Sequence, residues 1–291
     1  FEINSLKQLN DPFAKIKKVP LFGDNVKSSA YSIHIEDSLN YEKPWNEVGI
    51  VSNDYMLVNN KEITNMVEKV IDYSDIDFSL DKTFFNGKQF IRCYKAVDEI
   101  DAEVTVGDNL GVGIMINNSY DGSTAGKFSI FAYRLLCKNG MMSKNLFQSY
   151  RFKHTHGNEN WAEEMESAAE IIKHAGTNVK DFATTCSKLT TDNITINDMG
   201  NIRNKFIPKI ATSTFGKIVD QIYNDEYYTE NQNITSWDLL NAGTHVLWHK
   251  EKQTVADYNN NDYLTTGFLN YAKTLQEDNF FDRLERNQIN S

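Results

Sequence analysis

The stretch that decides the fold is Gly111–His154, GVGIMINNSYDGSTAGKFSIFAYRLLCKNGMMSKNLFQSYRFKH. Val112–Ile116 is an apolar run, Asn117–Ser123 is a cluster of turn formers, and Lys127–Cys137 alternates. Phe128, Ile130, Ala132, Arg134 and Leu136 fall on one face of that second run, with Lys127, Ser129, Phe131, Tyr133, Leu135 and Cys137 on the other. Neither face is polar throughout, so the spacing predicts a hairpin whose second strand is central. Asn139-Gly140 supplies a further turn of the kind that tolerates positive φ.

The charge pattern of this stretch is as distinctive as its periodicity. No acidic residue lies between Asp121 and Glu159, while Lys127, Arg134, Lys138, Lys144, Arg151 and Lys153 alternate with aromatic rings in a chain of formal net charge -10. Residues 82–154 hold ten Lys or Arg against six Asp or Glu. Cations at strand ends and in loops are commonly no more than a solvated surface. The missing acids favour a groove for single-stranded nucleic acid, with cations on the phosphates and exposed rings stacked on bases. The candidate contacts are Arg92, Lys127, Arg134, Lys138, Lys144, Arg151 and Lys153 on phosphates, with Tyr133, Tyr150 and Phe152 as stacking rings.

Upstream, residues 1–46 read as an extended N-terminal arm, punctuated by Pro12, Pro20 and Pro44, with Tyr31–Ile35 a short edge strand. Such an arm either crosses a neighbouring subunit, as in the expected homo-oligomer, or packs on its own domain. From Glu47 the signals sharpen into strands, then a helix Lys61–Asp72 capped by Asn60, with Ile63, Met66, Val67 and Val70 at helical spacing. Asn86-Gly87 between two alternating runs predicts a second hairpin, ending in the strand Lys88–Val97. Arg92 and Tyr94 share a face of that strand and extend the basic patch if the face is open.

Downstream, Asn160 caps a long helix from Trp161 that Gly176 ends or kinks, and the remainder is helical: Thr195–Phe206, Ile210–Asn224, Ser236–Lys250 and Asn261–Leu284. The fold class is therefore α+β, an antiparallel β-meander packed by a long helix and followed by a mostly helical C-terminal part. The corresponding division is an arm 1–46, an α+β core 47–190 and a helical region 191–291.

Hydrophobic content of 40% argues for a folded chain, and no apolar run reaches the roughly 20 residues of a membrane helix. Phe1–Lys7 lacks the pattern of a secretory signal, and the absence of an initiating Met implies that residues precede Phe1. Cys93, Cys137 and Cys186 have no metal-ligand spacing and read as buried thiols of a reducing cytoplasm. His154 and His156, with His174 downstream, are two histidines of a polar loop without a fixed third ligand, and His245/His249 sit at i, i+4 among packing residues. Gly107-Asp-Asn-Leu-Gly-Val-Gly113 lacks both the lysine of a phosphate loop and the third glycine of a dinucleotide fingerprint. The chain is expected to be non-enzymatic, with no catalytic residues, metal or cofactor, a metal-dependent nuclease being the enzymatic alternative.

Three segments carry a resemblance: Val51–Glu62 (VSNDYMLVNNKE), Tyr133–Met141 (YRLLCKNGM) and Ser236–His245 (SWDLLNAGTH). Together they resemble the phage and plasmid-like proteins grouped as domain of unknown function 932, over about residues 47–250. The resemblance implies a role in the life cycle of a phage or mobile element and supplies no catalytic residues. The meander followed by a long helix is also similar in element order to single-strand annealing proteins of the Redβ and RecT kind. These likenesses lead to the expectation of a phage or plasmid protein that binds single-stranded DNA and promotes annealing or recombination. The rival expectation is a self-assembling or protein-interaction factor, such as a counter-defence protein, that binds no nucleic acid.

Overall fold

The structure, a computed structural model, describes residues 11–23, 26–37, 42–97, 102–124, 126–135, 140–141, 149–151, 161–224, 233–250 and 254–289, with backbone alone for 150–151, 161–165, 224 and 276–289. The fold is α+β, with antiparallel sheets and a helical C-terminal part. Its strands are β1 (Ile16–Gly23), β2 (Val26–Glu36), β3 (Trp45–Ser52), β4 (Phe78–Phe85), β5 (Gln89–Ala96), β6 (Glu103–Thr105), β7 (Asp108–Ser119), β8 (Lys127–Arg134), β9 (Gly140–Met141) and β10 (Ser149–Arg151). Its helices are α1 (Asn60–Asp72), α2 (Trp161–Lys173), α3 (Ala175–Cys186), α4 (Ile196–Phe206), α5 (Thr212–Asn224), α6 (Ser236–Trp248) and α7 (Val255–Ile289). β1-β2-β3 form one sheet; a second has the order β10-β8-β7-β5-β4, with β6 pairing β7 and β9 pairing β8.

The chain forms two compact units that interleave in sequence rather than dividing at 46 and 190. One comprises residues 1–98, 114–130 and 148–174, the other 99–113, 131–147 and 175–291.

In the first unit, the described residues of the arm read from the prolines are mostly sheet. β1 and β2 pair from Ile16↔Ile35 to Gly23↔Val26, and β3 pairs the far side of β2, so Tyr31–Ile35 belongs to a central strand. Pro20 is tolerated because β1 is an edge strand, where a missing N–H costs no ladder bond. The period-two signal of this sheet lies in Ile33 and Ile35, which pack with Val48, Val51 and Tyr120 into a buried cluster. α1 follows with a capping box on Asn59, one residue before the predicted cap. Its buried face is Ile63, Met66, Val67 and Val70, as the spacing predicts. The β4–β5 hairpin turns at Gly87, whose φ of 87° only glycine adopts without strain.

In the second unit, β6 and β7 form a tight hairpin around Gly107, with a φ of 82°. The helix expected to kink at Gly176 breaks at His174 instead, and Gly176 lies inside α3. α4 and α6 each begin with a capping box, on Thr195–Asp198 and Thr235–Asp238, and α6 packs against α5 and α7. α6 is buried almost all round, with Trp237, Leu239, Leu240, Ala242, Leu247 and Trp248 in the core.

Candidate functional site

The three sequence segments behind the family resemblance turn out to be joints of the fold. In the second unit, Asp108 opens β7 with a side chain 6% exposed, and its carboxylate accepts from Arg134 Nε at 2.5 Å and from Trp237 Nε1 at 3.0 Å. Arg134 comes from the end of β8 and Trp237 from the first turn of α6, so one buried carboxylate ties two strands to a helix. The Arg134 guanidinium lies 6.0 Å from the Trp237 ring centroid, adding a cation–π contact.

In the same unit three glycines stand against aromatic rings. A Cβ on Gly111 would fall inside 3.0 Å of the Tyr133 ring, one on Gly113 would collide with Phe131, and one on Gly140 with Trp248. Gly-x-Gly on β7 thus faces Phe-x-Tyr on β8, both at period two, and the strand gives up side chains to seat rings. Gly140 also accepts a hydrogen bond from Asn261 Nδ2 at 2.8 Å, and Trp248 packs on Phe131 at 5.3 Å between ring centroids.

In the first unit, the segment Ser52–Asn60 meets the end of β7. Tyr55 donates to the Ser119 carbonyl at 2.7 Å, Asn118 Nδ2 donates to Asn60 Oδ1 at 2.8 Å and to the Val58 carbonyl at 3.0 Å, and the Asn60 N–H donates to the Tyr120 hydroxyl at 3.2 Å. Burial, with Asp121 adding to it, pushes the Tyr55 phenol up to about 12, and burial likewise raises Tyr120. Both hydroxyls keep their protons at neutral pH and act as fixed hydrogen-bonding groups.

These joints decide the fate of several predicted contacts. Arg134 is committed to Asp108. Tyr133 is 5% exposed, with its ring over Gly111, so it presents no face to a base. Arg92 is held by Glu68 at 3.2 Å, by the Tyr94 hydroxyl at 2.6 Å and by Thr83 at 3.2 Å, beneath α1 and beside the Phe13 ring. Its face of β5 is therefore covered rather than open, and the sequence assignment of Arg92, Tyr133 and Arg134 to nucleic acid is corrected: all three are scaffold. The cause is common to them, since central strands and the face under α1 have no room for an unpaired cation or a free ring.

Lys127 is half-buried at the start of β8, and the register of the edge strand makes Arg151 its direct partner, with Tyr150 opposite Phe128 and Ser149 opposite Ser129. Lys138, Lys144, Phe152 and Lys153 lie outside the described residues. The backbone register therefore sets Lys127 opposite Arg151, while Arg92 and Arg134 are paired with carboxylates and Tyr133 is buried.

On the other face of β5, Lys82 pairs in register with Cys93, and Lys95 bonds Asp81 at 3.1 Å. Burial lowers Lys82 to about 8 and raises the Cys93 thiol to about 12. The His245 and His249 rings lie 4.7 Å apart on the last turn of α6. Among the described residues no group of three or more His, Cys, Asp or Glu is arranged to hold a metal ion, and no helix is long and apolar enough to cross a membrane.

The fold is that of an α+β protein in which the motif residues Tyr55, Asn60, Arg134, Gly140 and Trp237 make the contacts just described. Residues 47–280 match the family described as Domain of unknown function (DUF932), and the chain belongs to that family. No curated protein and no solved structure matches it.

Proposed function

We propose that this chain is a non-enzymatic phage or plasmid protein that binds single-stranded DNA along the β8–β10 edge and promotes strand annealing. The observation that carries the reading is the cross-strand pair Lys127↔Arg151 at a sheet edge, inside an interval with no acidic residue between Asp121 and Glu159. A phosphate backbone supplies anions at a regular spacing, matching a strip of sequence rich in Lys and Arg. The acidic total of -10 opposes indiscriminate duplex binding and restricts the contact to a local strip.

The test is equilibrium binding of labelled single-stranded and double-stranded oligonucleotides, with strand annealing followed in parallel. Salt-sensitive binding that prefers single strands, with accelerated annealing of complementary oligonucleotides, is the expected result. Absence of binding at low salt refutes the reading, and cleavage of the DNA in the presence of magnesium refutes its non-enzymatic part.

A second reading, a self-assembling or protein-interaction factor, is favoured by a different observation. The three-stranded sheet exposes Phe22 (66%), Val26 (69%) and Ile50 (58%), large apolar side chains on a unit that has a well-filled core elsewhere.

A further inference from the structure

In the second unit, α6 ends on a pair of imidazoles. The apolar packing of the helix is carried by Trp237, Leu239, Leu240, Leu247 and Trp248, all buried. His245 is half-buried and His249 is exposed, at the point where the chain leaves the helix. Four residues apart, they stand one above the other on a single helix face. The turn that fixes this spacing is closed by the His249 N–H, which donates to the His245 carbonyl at 3.0 Å. The ring centroids lie 4.7 Å apart with the planes tilted by 37°, an open wedge rather than a parallel stack.

Two histidines at i, i+4 on a helix are the donor pair that begins the zinc site of His-Glu-x-x-His enzymes, where a third protein ligand completes it. Metal–nitrogen bonds of about 2.0–2.1 Å set the two nitrogens roughly 3–3.4 Å apart. Rotation of two rings already 4.7 Å apart supplies that separation. Imidazole nitrogen prefers Cu²⁺ over Ni²⁺ and Zn²⁺, whereas Mg²⁺ seeks oxygen ligands that the pair does not offer. The last carbonyls of α6 carry partial negative charge at this end of the helix, which favours a cation there.

We infer that His245 and His249 chelate one divalent transition-metal ion, Cu²⁺ most tightly, with water filling the remaining positions. A site of two protein ligands accords with the described residues, among which no three His, Cys, Asp or Glu converge. It is open and exchangeable, and weaker than a closed four-ligand structural site. The pair shares no residue with the β8–β10 edge, so the inference stands apart from the DNA reading.

Calorimetric titration of the tag-free, chelator-treated full chain with Cu²⁺, Ni²⁺ and Mg²⁺ tests it. A His154→Ala/His156→Ala background removes the other closely spaced histidines. The expected result in that background is one Cu²⁺ per chain, weaker Ni²⁺ binding, and no displacement of Cu²⁺ by excess Mg²⁺. Losing an outer-shell partner of a metal ligand costs at least roughly tenfold in affinity, and losing a ligand itself costs more. His245→Gln and His249→Gln are each expected to weaken Cu²⁺ by more than that, with circular dichroism checking that the fold is retained. Electron paramagnetic resonance of the Cu²⁺ complex reads two nitrogen donors in the parent and one in each glutamine variant. Absence of Cu²⁺ binding in the background, binding that either glutamine variant leaves unchanged, or a spectrum without two nitrogen donors overturns the inference.

Discussion

Replacing Arg134 by Ala strands the Asp108 carboxylate inside the second unit. The two side chains are 19% and 6% exposed, so neither charge is solvated enough to survive alone. Breaking a buried pair by removing one partner costs about 3–5 kcal/mol, because the remaining charge keeps its desolvation penalty. Trp237 Nε1 still donates to Asp108 at 3.0 Å in the variant, which places the loss toward the lower end, about 3 kcal/mol. At about 2–4 °C per kcal/mol for a domain of this size, the melting temperature falls on the order of 10 °C. Asp108→Asn combined with Arg134→Met removes both charges while keeping an acceptor for the indole, and recovers more than half of the loss. Urea unfolding followed by tryptophan fluorescence and by circular dichroism measures all three proteins. A loss below about 1 kcal/mol for Arg134→Ala, or a double variant no more stable than the single one, refutes the assignment of Arg134 to the scaffold and returns it to the surface.

Three other substitutions read different parts of the structure. Gly140→Ala forces a Cβ into the Trp248 ring and is expected to cost about 1–3 kcal/mol in the same unfolding assay. Tyr120→Phe removes the acceptor of the Asn60 N–H at the start of α1, both groups being buried, and is expected to cost about 1–3 kcal/mol by urea unfolding. Lys82 has a folded pKa of about 8 against an ordinary 10.5, so between those values the unfolded chain holds the extra proton and stability rises with pH. Lys82→Met lacks that rise, and the wild-type minus variant stability, measured from pH 7 to pH 10.5, climbs through this window.

Much of the fold was legible from periodicity. Ile63, Met66, Val67 and Val70 in α1 and the two apolar faces of β8 behave as their spacing implies, and the central position of β8 follows from the absence of a polar face. The N-terminal sheet was harder to read because β1 is an edge strand, where Pro20 is permitted but looks like a strand breaker. The joints were hidden for another reason. Asp108 sits in a turn-like Gly-Asp-Asn context that resembles a solvated loop, and only the long-range approach of Arg134 and Trp237 makes it a buried anchor. A local signal did exist for the glycines, in the matched period-two patterns of Gly111-x-Gly113 and Phe131-x-Tyr133. The same long-range pairing removed Arg92, Tyr133 and Arg134 from the candidate interface, since composition records a cation but not the carboxylate that meets it across the fold.

The proposal that DNA runs along the β8–β10 edge is tested most directly by the salt dependence of single-strand binding for the wild type, for Lys127→Ala/Arg151→Ala and for Arg92→Ala. Each phosphate contact contributes about 0.7 to the slope of log K against log salt for a single strand, so the double variant lowers the slope by about 1.4 and weakens binding at low salt. Arg92→Ala, which removes a cation already paired with Glu68, leaves the slope unchanged. A double variant with the wild-type slope, or a slope that responds to Arg92 instead, contradicts the account.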